Sequence, residues 1–125
     1  MGIGLINIKR LKKSFADAWH GVVYVHKHEQ NFKLQLLFGI GVIILMLILR
    51  LRKSEMIVLL MLILMVLAAE LLNSALEKFL DILKPRMELQ VALVKDIMAA
   101  MVLLASVGST VIGAIIFWPY IINLF

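Results

Sequence analysis

Residues 56–81 read MIVLLMLILMVLAAELLNSALEKFLD. The first twelve residues, Met56 to Leu67, are all apolar, and nothing before Glu70 is charged. Such a stretch belongs in the hydrocarbon core of a bilayer. The same helix then carries Glu70, Asn73, Glu77 and Asp81. Glu70 lies roughly 21 Å along the axis from Met56, still inside a ~30 Å hydrocarbon layer, and Glu77 lies ~10 Å further on, near its boundary. At 100° per residue, Glu70, Glu77 and Asp81 fall within about 40° of one another, with Asn73 and Ser74 flanking them. One stripe of a spanning helix is therefore acidic and descends towards the water. An acidic residue near the centre of such a helix costs ~2.5–3.5 kcal/mol to insert, and less nearer the interface. One carboxylate is explained by pairing with a lysine such as Lys95. A stripe of three with an amide among them points to a working site.

Outward from this stretch, the chain reads as an all-α integral membrane protein. Of its 125 residues 63% are hydrophobic, and the mean hydropathy is +1.03. Both lie well above a soluble domain, which is ~45–50% apolar. The first span is expected at 34–51 (LQLLFGIGVIILMLILRL), the second at 56–83 and the third at 92–117. RKSE (52–55) makes the first connection, and a polar stretch after Pro85 makes the second, since proline cannot continue a helical ladder. Before these, Ile8, Leu11, Phe15, Trp19 and Val22 recur every three or four residues. That spacing predicts an amphipathic helix, within about 3–33, lying in the membrane interface or packed on the protein's own core. The whole chain, 1–125, reads as a single membrane domain without repeats. No cleavable leader is expected, because the first ~33 residues are too polar.

Charge sets the orientation. The formal net charge is +5, with nine Lys or Arg in 1–33 and 84–95 and only Arg50, Arg52 and Lys53 in the opposite turn. The positive-inside rule puts the N-terminus in the cytoplasm and the C-terminus outside. The basic balance fits anionic headgroups or a phosphorylated substrate, and no nucleic acid is expected, because no soluble domain is left to present it. The chain has no cysteine, so disulfides, thiolate metal sites and Cys nucleophiles are excluded.

At the level of the acidic stripe the topology also places Glu29, Lys95 and Asp96. Clustered hard oxygen ligands at a membrane edge suit Mg²⁺, which is held by one or two carboxylates plus substrate phosphates. A lysine beside them suits an anionic phosphate. No P-loop, kinase-type glycine loop or H-E-x-x-H motif is present. HKHE (26–29) reads as an interfacial polar segment rather than a His metal site, and Gly39 and Gly41 as helix-packing positions.

The pattern E-x-x-N-S-A-x-E-x-x-x-D ending at Asp81, followed by K-D at 95–96 and A-A-x-V-L, resembles the signature of the prokaryotic diacylglycerol kinase / undecaprenol kinase family. R-x-x-K-S-F-x-x-A-x-x-G (10–21) and E-x-N-F-K from Glu29 are similar to that family's surface helix and the start of its first span. The resemblance covers nearly the whole chain. It implies a surface helix plus three transmembrane helices, assembled as a homotrimer with active sites shared between neighbours. It also implies phosphorylation of a membrane lipid hydroxyl with ATP as co-substrate and Mg²⁺ as cofactor, in the bacterial cytoplasmic (inner) membrane. Glu70 then resembles the general base on the lipid alcohol, with Ser74 beside it at the acceptor. Glu29 and Glu77 resemble the metal carboxylates, which also face the nucleotide. Asn73, Lys95 and Asp96 resemble nucleotide and phosphate contacts, and Arg10 resembles an N-terminal arginine near the nucleotide. The chain departs from the family pattern at Gln35, Glu88, Ala92 and Ala100. N-F-K and Pro85 lean towards the undecaprenol branch. The reading from a different class is a small ion-coupled transporter using Glu70 as a proton site, and a third is a non-catalytic scaffold on the same frame.

Overall fold

The computed structural model describes residues 6–125, which form four α-helices: α1 (Ile8–His28), α2 (Gln30–Ile48), α3 (Lys53–Leu83) and α4 (Glu88–Ile122). The expected start of the surface helix at residues 3–5 lies outside the described residues. α2, α3 and α4 are each long and apolar enough to cross a membrane. α3 and α4 hold 31 and 35 residues, so at 1.5 Å per residue they run ~46 and ~52 Å and outlast a ~30 Å hydrocarbon layer. α3 is the central element, packed chiefly on α4, then on α2, and least on α1.

α1 begins where the Asn7 side chain accepts the Arg10 N–H at 3.2 Å, an N-cap that satisfies one of the helix's free donors. Its apolar face is not covered by the rest of the chain: Ile8, Phe15 and Trp19 are all exposed. For most of its length the helix is therefore not packed on the core of its own chain. Only Val22 to Val25, near its end, are shielded by protein.

The expectation of one surface helix up to residue 33 is corrected by a break at Glu29. This residue is extended, with φ −115° and ψ 111°, and α2 starts directly at Gln30. Its N–H still donates to the Val25 carbonyl at 2.8 Å and its carbonyl accepts the Lys33 N–H at 3.3 Å, so Glu29 closes α1 and opens α2 at once. α3 starts at Lys53 rather than Met56, because the Glu55 carboxylate accepts the Arg52 N–H at 3.2 Å and so caps the helix earlier. α4 starts at Glu88 and passes through Pro119 to Ile122. Proline removes one ladder bond, but the turn beyond it closes through the Asn123 N–H on the Pro119 carbonyl at 3.2 Å.

Two apolar clusters sit at opposite ends of the bundle. At the turn between α2 and α3, Met46, Leu51, Leu59 and Phe117 are buried together. That turn is a Schellman motif. Arg50 is left-handed at φ 55°, the Leu51 N–H donates to the Met46 carbonyl at 3.1 Å, and the Arg50 N–H donates to Leu47 at 3.3 Å. The apolar pair that usually completes the motif is Leu51 on Met46. The Tyr120 hydroxyl donates to Glu55 and ties the end of α4 to the same turn. At the other end, Leu80, Val91 and Met98 join α3 to α4. Between them α2 approaches α3 closely: a Cβ added at Gly39 would meet Ile63 Cγ2 at 3.0 Å. Gly41 meets nothing within 4 Å, so of the two expected packing glycines only Gly39 packs within the chain.

Candidate active site

The acidic stripe of α3 lies at the Glu29 end of the bundle. Glu70 is only 5% exposed and Ser74 only 3%, the two buried polar side chains of the described residues. Glu70 Oε1 has no hydrogen-bond partner. A buried carboxylate oxygen without a donor is costly, and among the described residues only Ser109 Oγ shares this condition. One turn further on, the Ser74 hydroxyl donates to Glu29 Oε1 at 3.4 Å. This long bond crosses from α3 to the break between α1 and α2. It places Glu29 one helical turn from Glu70 along the same face of α3. The break explains the contact: an extended residue between two helices projects its side chain out of both ladders and towards α3.

Asn73 and Glu77 are half-buried on the other flank of Glu70. Asn73 is ~100° round the helix from Ser74, and neither it nor Glu77 makes a side-chain hydrogen bond among the described residues. Asp81 is held differently. Lys95 of α4 reaches it at 3.0 Å, so this third carboxylate of the stripe has a lysine of its own. Asp96, next to Lys95, is exposed and unpaired among the described residues. Arg10 is separated from the rest: it lies 18 residues before His28 on one helix, ~27 Å along its axis. The structure thus gathers Glu29, Glu70 and Ser74, sets Asn73 and Glu77 beside them, ties Lys95 to Asp81, and leaves Arg10 and Asp96 apart within one chain.

Two side-chain groups were not singled out by sequence reasoning. A cleft of about 470 Å³ between α1 and α3 is lined by Val22, Tyr24, Val25, Leu71, Ser74 and Lys78, among others. On its wall the Lys78 ammonium sits 5.0 Å from the centroid of the Tyr24 ring. That ring stacks on His28 at 4.2 Å, and His28 Nδ1 bonds the Tyr24 carbonyl at 2.8 Å. Further into the bundle, Gln35 Nε2 donates to Ser106 Oγ at 3.0 Å and joins α2 to α4. No histidine of HKHE is drawn into a metal cluster, and among the described residues no three His, Cys, Asp or Glu side chains converge.

A protein-only metal cage is therefore absent among the described residues. A divalent ion that arrives with phosphates does not need one, since Mg²⁺ takes one or two carboxylates and fills the rest of its shell with phosphate and water. The donors at this site fit that chemistry. They are hard carboxylate oxygens: Glu29 Oε1 has only a long contact from a serine hydroxyl, and Glu77 makes no side-chain hydrogen bond among the described residues.

Residues 16–117 match the family model described as prokaryotic diacylglycerol kinase. This range includes Glu29, Glu70, Asn73, Ser74, Glu77, Lys95 and Asp96, and leaves out Arg10. The chain is also 32% identical over 112 residues to a protein of Synechocystis sp. named diacylglycerol kinase. The alignment takes in 89% of this chain and 64% of that relative, so the chain spans a little under two thirds of the relative's length. No solved structure matches the chain.

Proposed function

This chain belongs to the prokaryotic diacylglycerol kinase family, and from that premise we propose that it is a membrane lipid kinase, transferring the γ-phosphoryl group of MgATP to the hydroxyl of a membrane lipid. The observation that carries this reading is Glu70: a buried carboxylate with an unpartnered oxygen, at the edge of an apolar span, beside a second carboxylate. Only an amphiphile presents a hydroxyl at that depth while its chains stay in lipid. Glu70 takes the proton from that hydroxyl as the lipid oxygen bonds to the γ-phosphorus and the bond to the β,γ-bridging oxygen breaks, releasing ADP; Ser74 lines the same approach. The nucleotide supplies the transferable group, and its divalent ion offsets charge on the phosphate oxygens. Glu29 and Glu77 would hold that ion. Asn73, Lys95 and Asp96 would position the phosphates, Lys95 by exchanging Asp81 for an anion, and Arg10 would contact the nucleotide.

The assembly proposed with this reading is a homotrimer with shared sites. Glu77 and Asn73 lie on the flank of Glu70 away from Ser74, and Arg10 lies far along α1. A neighbouring chain is thus a natural complement to each set, and it would also shield the stripe from lipid. The membrane is the bacterial cytoplasmic one, with the Glu29 end in the cytosol. The acceptor is undecaprenol or diacylglycerol. The test offers labelled ATP with each lipid separately in mixed micelles. Labelled lipid phosphate from one of them supports the reading. Substrate flux in sealed vesicles with no phosphorylated lipid would replace it with the transporter.

A further inference from the structure

The carboxylates of the site outnumber the cations available to it. Glu29, Glu70 and Glu77 crowd one end of α3, and Lys95 is already paired with Asp81 at 3.0 Å. A nucleoside triphosphate brings more negative charge than one divalent ion cancels; Lys95 meets it only by leaving Asp81, and Arg10 lies far along α1, so the site as described lacks a cation that is both near and unpaired. Lys78 is the candidate on the page. It follows Ser74 by four residues on α3, which puts it on the same face about one turn further out. It lines the same cleft as Ser74. Among the described residues it forms no ion pair. Instead its ammonium is held over the Tyr24 ring at 5.0 Å, and that ring is itself fixed by its stack on His28. A cation–π contact keeps a lysine ordered without neutralising it, so its three N–H donors stay available to an anion.

We propose that Lys78 is a phosphate-contacting residue of this site and that Tyr24 is the residue that positions it. The group it contacts is a phosphate oxyanion, either on the nucleotide before transfer or on the lipid after it. The proposal rests on the kinase reading above for the source of that oxyanion, but its test does not need turnover.

The experiment titrates the full chain in detergent with a non-hydrolysable MgATP analogue, and separately with phosphatidic acid in mixed micelles. The variants are Lys78→Ala, Lys78→Arg, Tyr24→Leu and Tyr24→Phe. Losing one charge-assisted contact should weaken binding by about tenfold in Lys78→Ala. Lys78→Arg should recover most of that, because it keeps the charge. Tyr24→Leu should lose about threefold by freeing the ammonium, and Tyr24→Phe should stay near the parent, because it keeps the ring face. Weakening in the analogue arm identifies the nucleotide as the source, and weakening in the lipid arm identifies the product. If Lys78→Ala binds both ligands as the parent does, and Lys78→Ala and Tyr24→Leu merely unfold equally early, the pair only docks α1 on α3 and the proposal is overturned. Loss of binding in Lys78→Ala from a parent that phosphorylates no lipid would instead retire the kinase reading and keep Lys78 as an anion site.

Discussion

Replacing Glu70 by leucine should make the protein more stable and inactive. Leucine is about one methylene bulkier than glutamate, so the change leaves no void and asks the neighbours to give slightly. It removes a carboxylate that is 5% exposed and whose Oε1 has no donor. Leaving a buried polar atom unsatisfied costs ~1–3 kcal/mol. Insertion scales separate an acid from leucine by ~3 kcal/mol at mid-span, and by less at the depth of Glu70. The expected gain is therefore about 2 kcal/mol, with Glu70→Gln gaining about half of that because its amide still lacks partners. The assay is reversible unfolding in mixed micelles against mole fraction of a denaturing detergent. The exposed Trp19 and Trp118 serve as fluorescence reporters. In parallel, single-turnover phosphorylation should vanish in both variants, while affinity for an MgATP analogue stays within about twofold, since the base acts mainly in the transition state. A loss of stability in Glu70→Leu would mean the carboxylate is structurally satisfied. Retained turnover, or nucleotide affinity lost as badly as in Glu77→Gln, would mean that Glu70 is not the base.

Arg50→Gly should stabilise the turn between α2 and α3 by about 1 kcal/mol, because glycine takes the left-handed C′ position without the steric cost of a side chain; unchanged unfolding would show that Arg50 earns its place by other contacts. Gly39→Ala should destabilise by ~1–3 kcal/mol as Ile63 is displaced, whereas Gly41→Ala, facing open space, should be neutral or slightly stabilising in the same unfolding assay. Glu29→Gln and Glu77→Gln should each raise the Mg²⁺ concentration needed for half-maximal phosphorylation, since each removes one charged ligand; Mg²⁺ titrations matching the parent in both variants would end the metal assignment.

The three long helices were legible because continuous apolar runs have few alternatives, and the stripe was legible because helical spacing alone aligns Glu70, Glu77 and Asp81. The break at Glu29 was not. HKHEQN contains neither glycine nor proline, and an extended residue there is decided by how α1 and α2 pack against α3. The Schellman turn was hidden for a similar reason, because Arg50 stands where glycine would have announced it. α4 outruns the expected end at 117 because Pro119, one turn from the helix end, removes only a single bond, which the following turn survives. Within the site, wheel geometry aligned the acids but could not say which would be paired. Lys95 choosing Asp81, Ser74 reaching Glu29 and Gln35 reaching Ser106 are contacts between helices, fixed by rotation of one helix against another. Tyr24 and Lys78 lie 54 positions apart in the chain, and only the packing of α1 on α3 brings them together.

The position of Glu29 also has a mechanical meaning. α1 is an arm of 21 residues, ~31 Å long, and Glu29, where it joins α2, is the point about which it would pivot. A tilt of about 10° about that pivot sweeps the far end of α1 through roughly 5 Å on that length, yet shifts a side chain rooted at the pivot by well under 1 Å. An acid that must keep its distance from Glu70 is thus fixed at the point of the arm that travels least. The proposed neighbour of Glu70 is therefore the part of the surface arm that such a tilt moves least, whereas Tyr24, five residues along it, moves with α1.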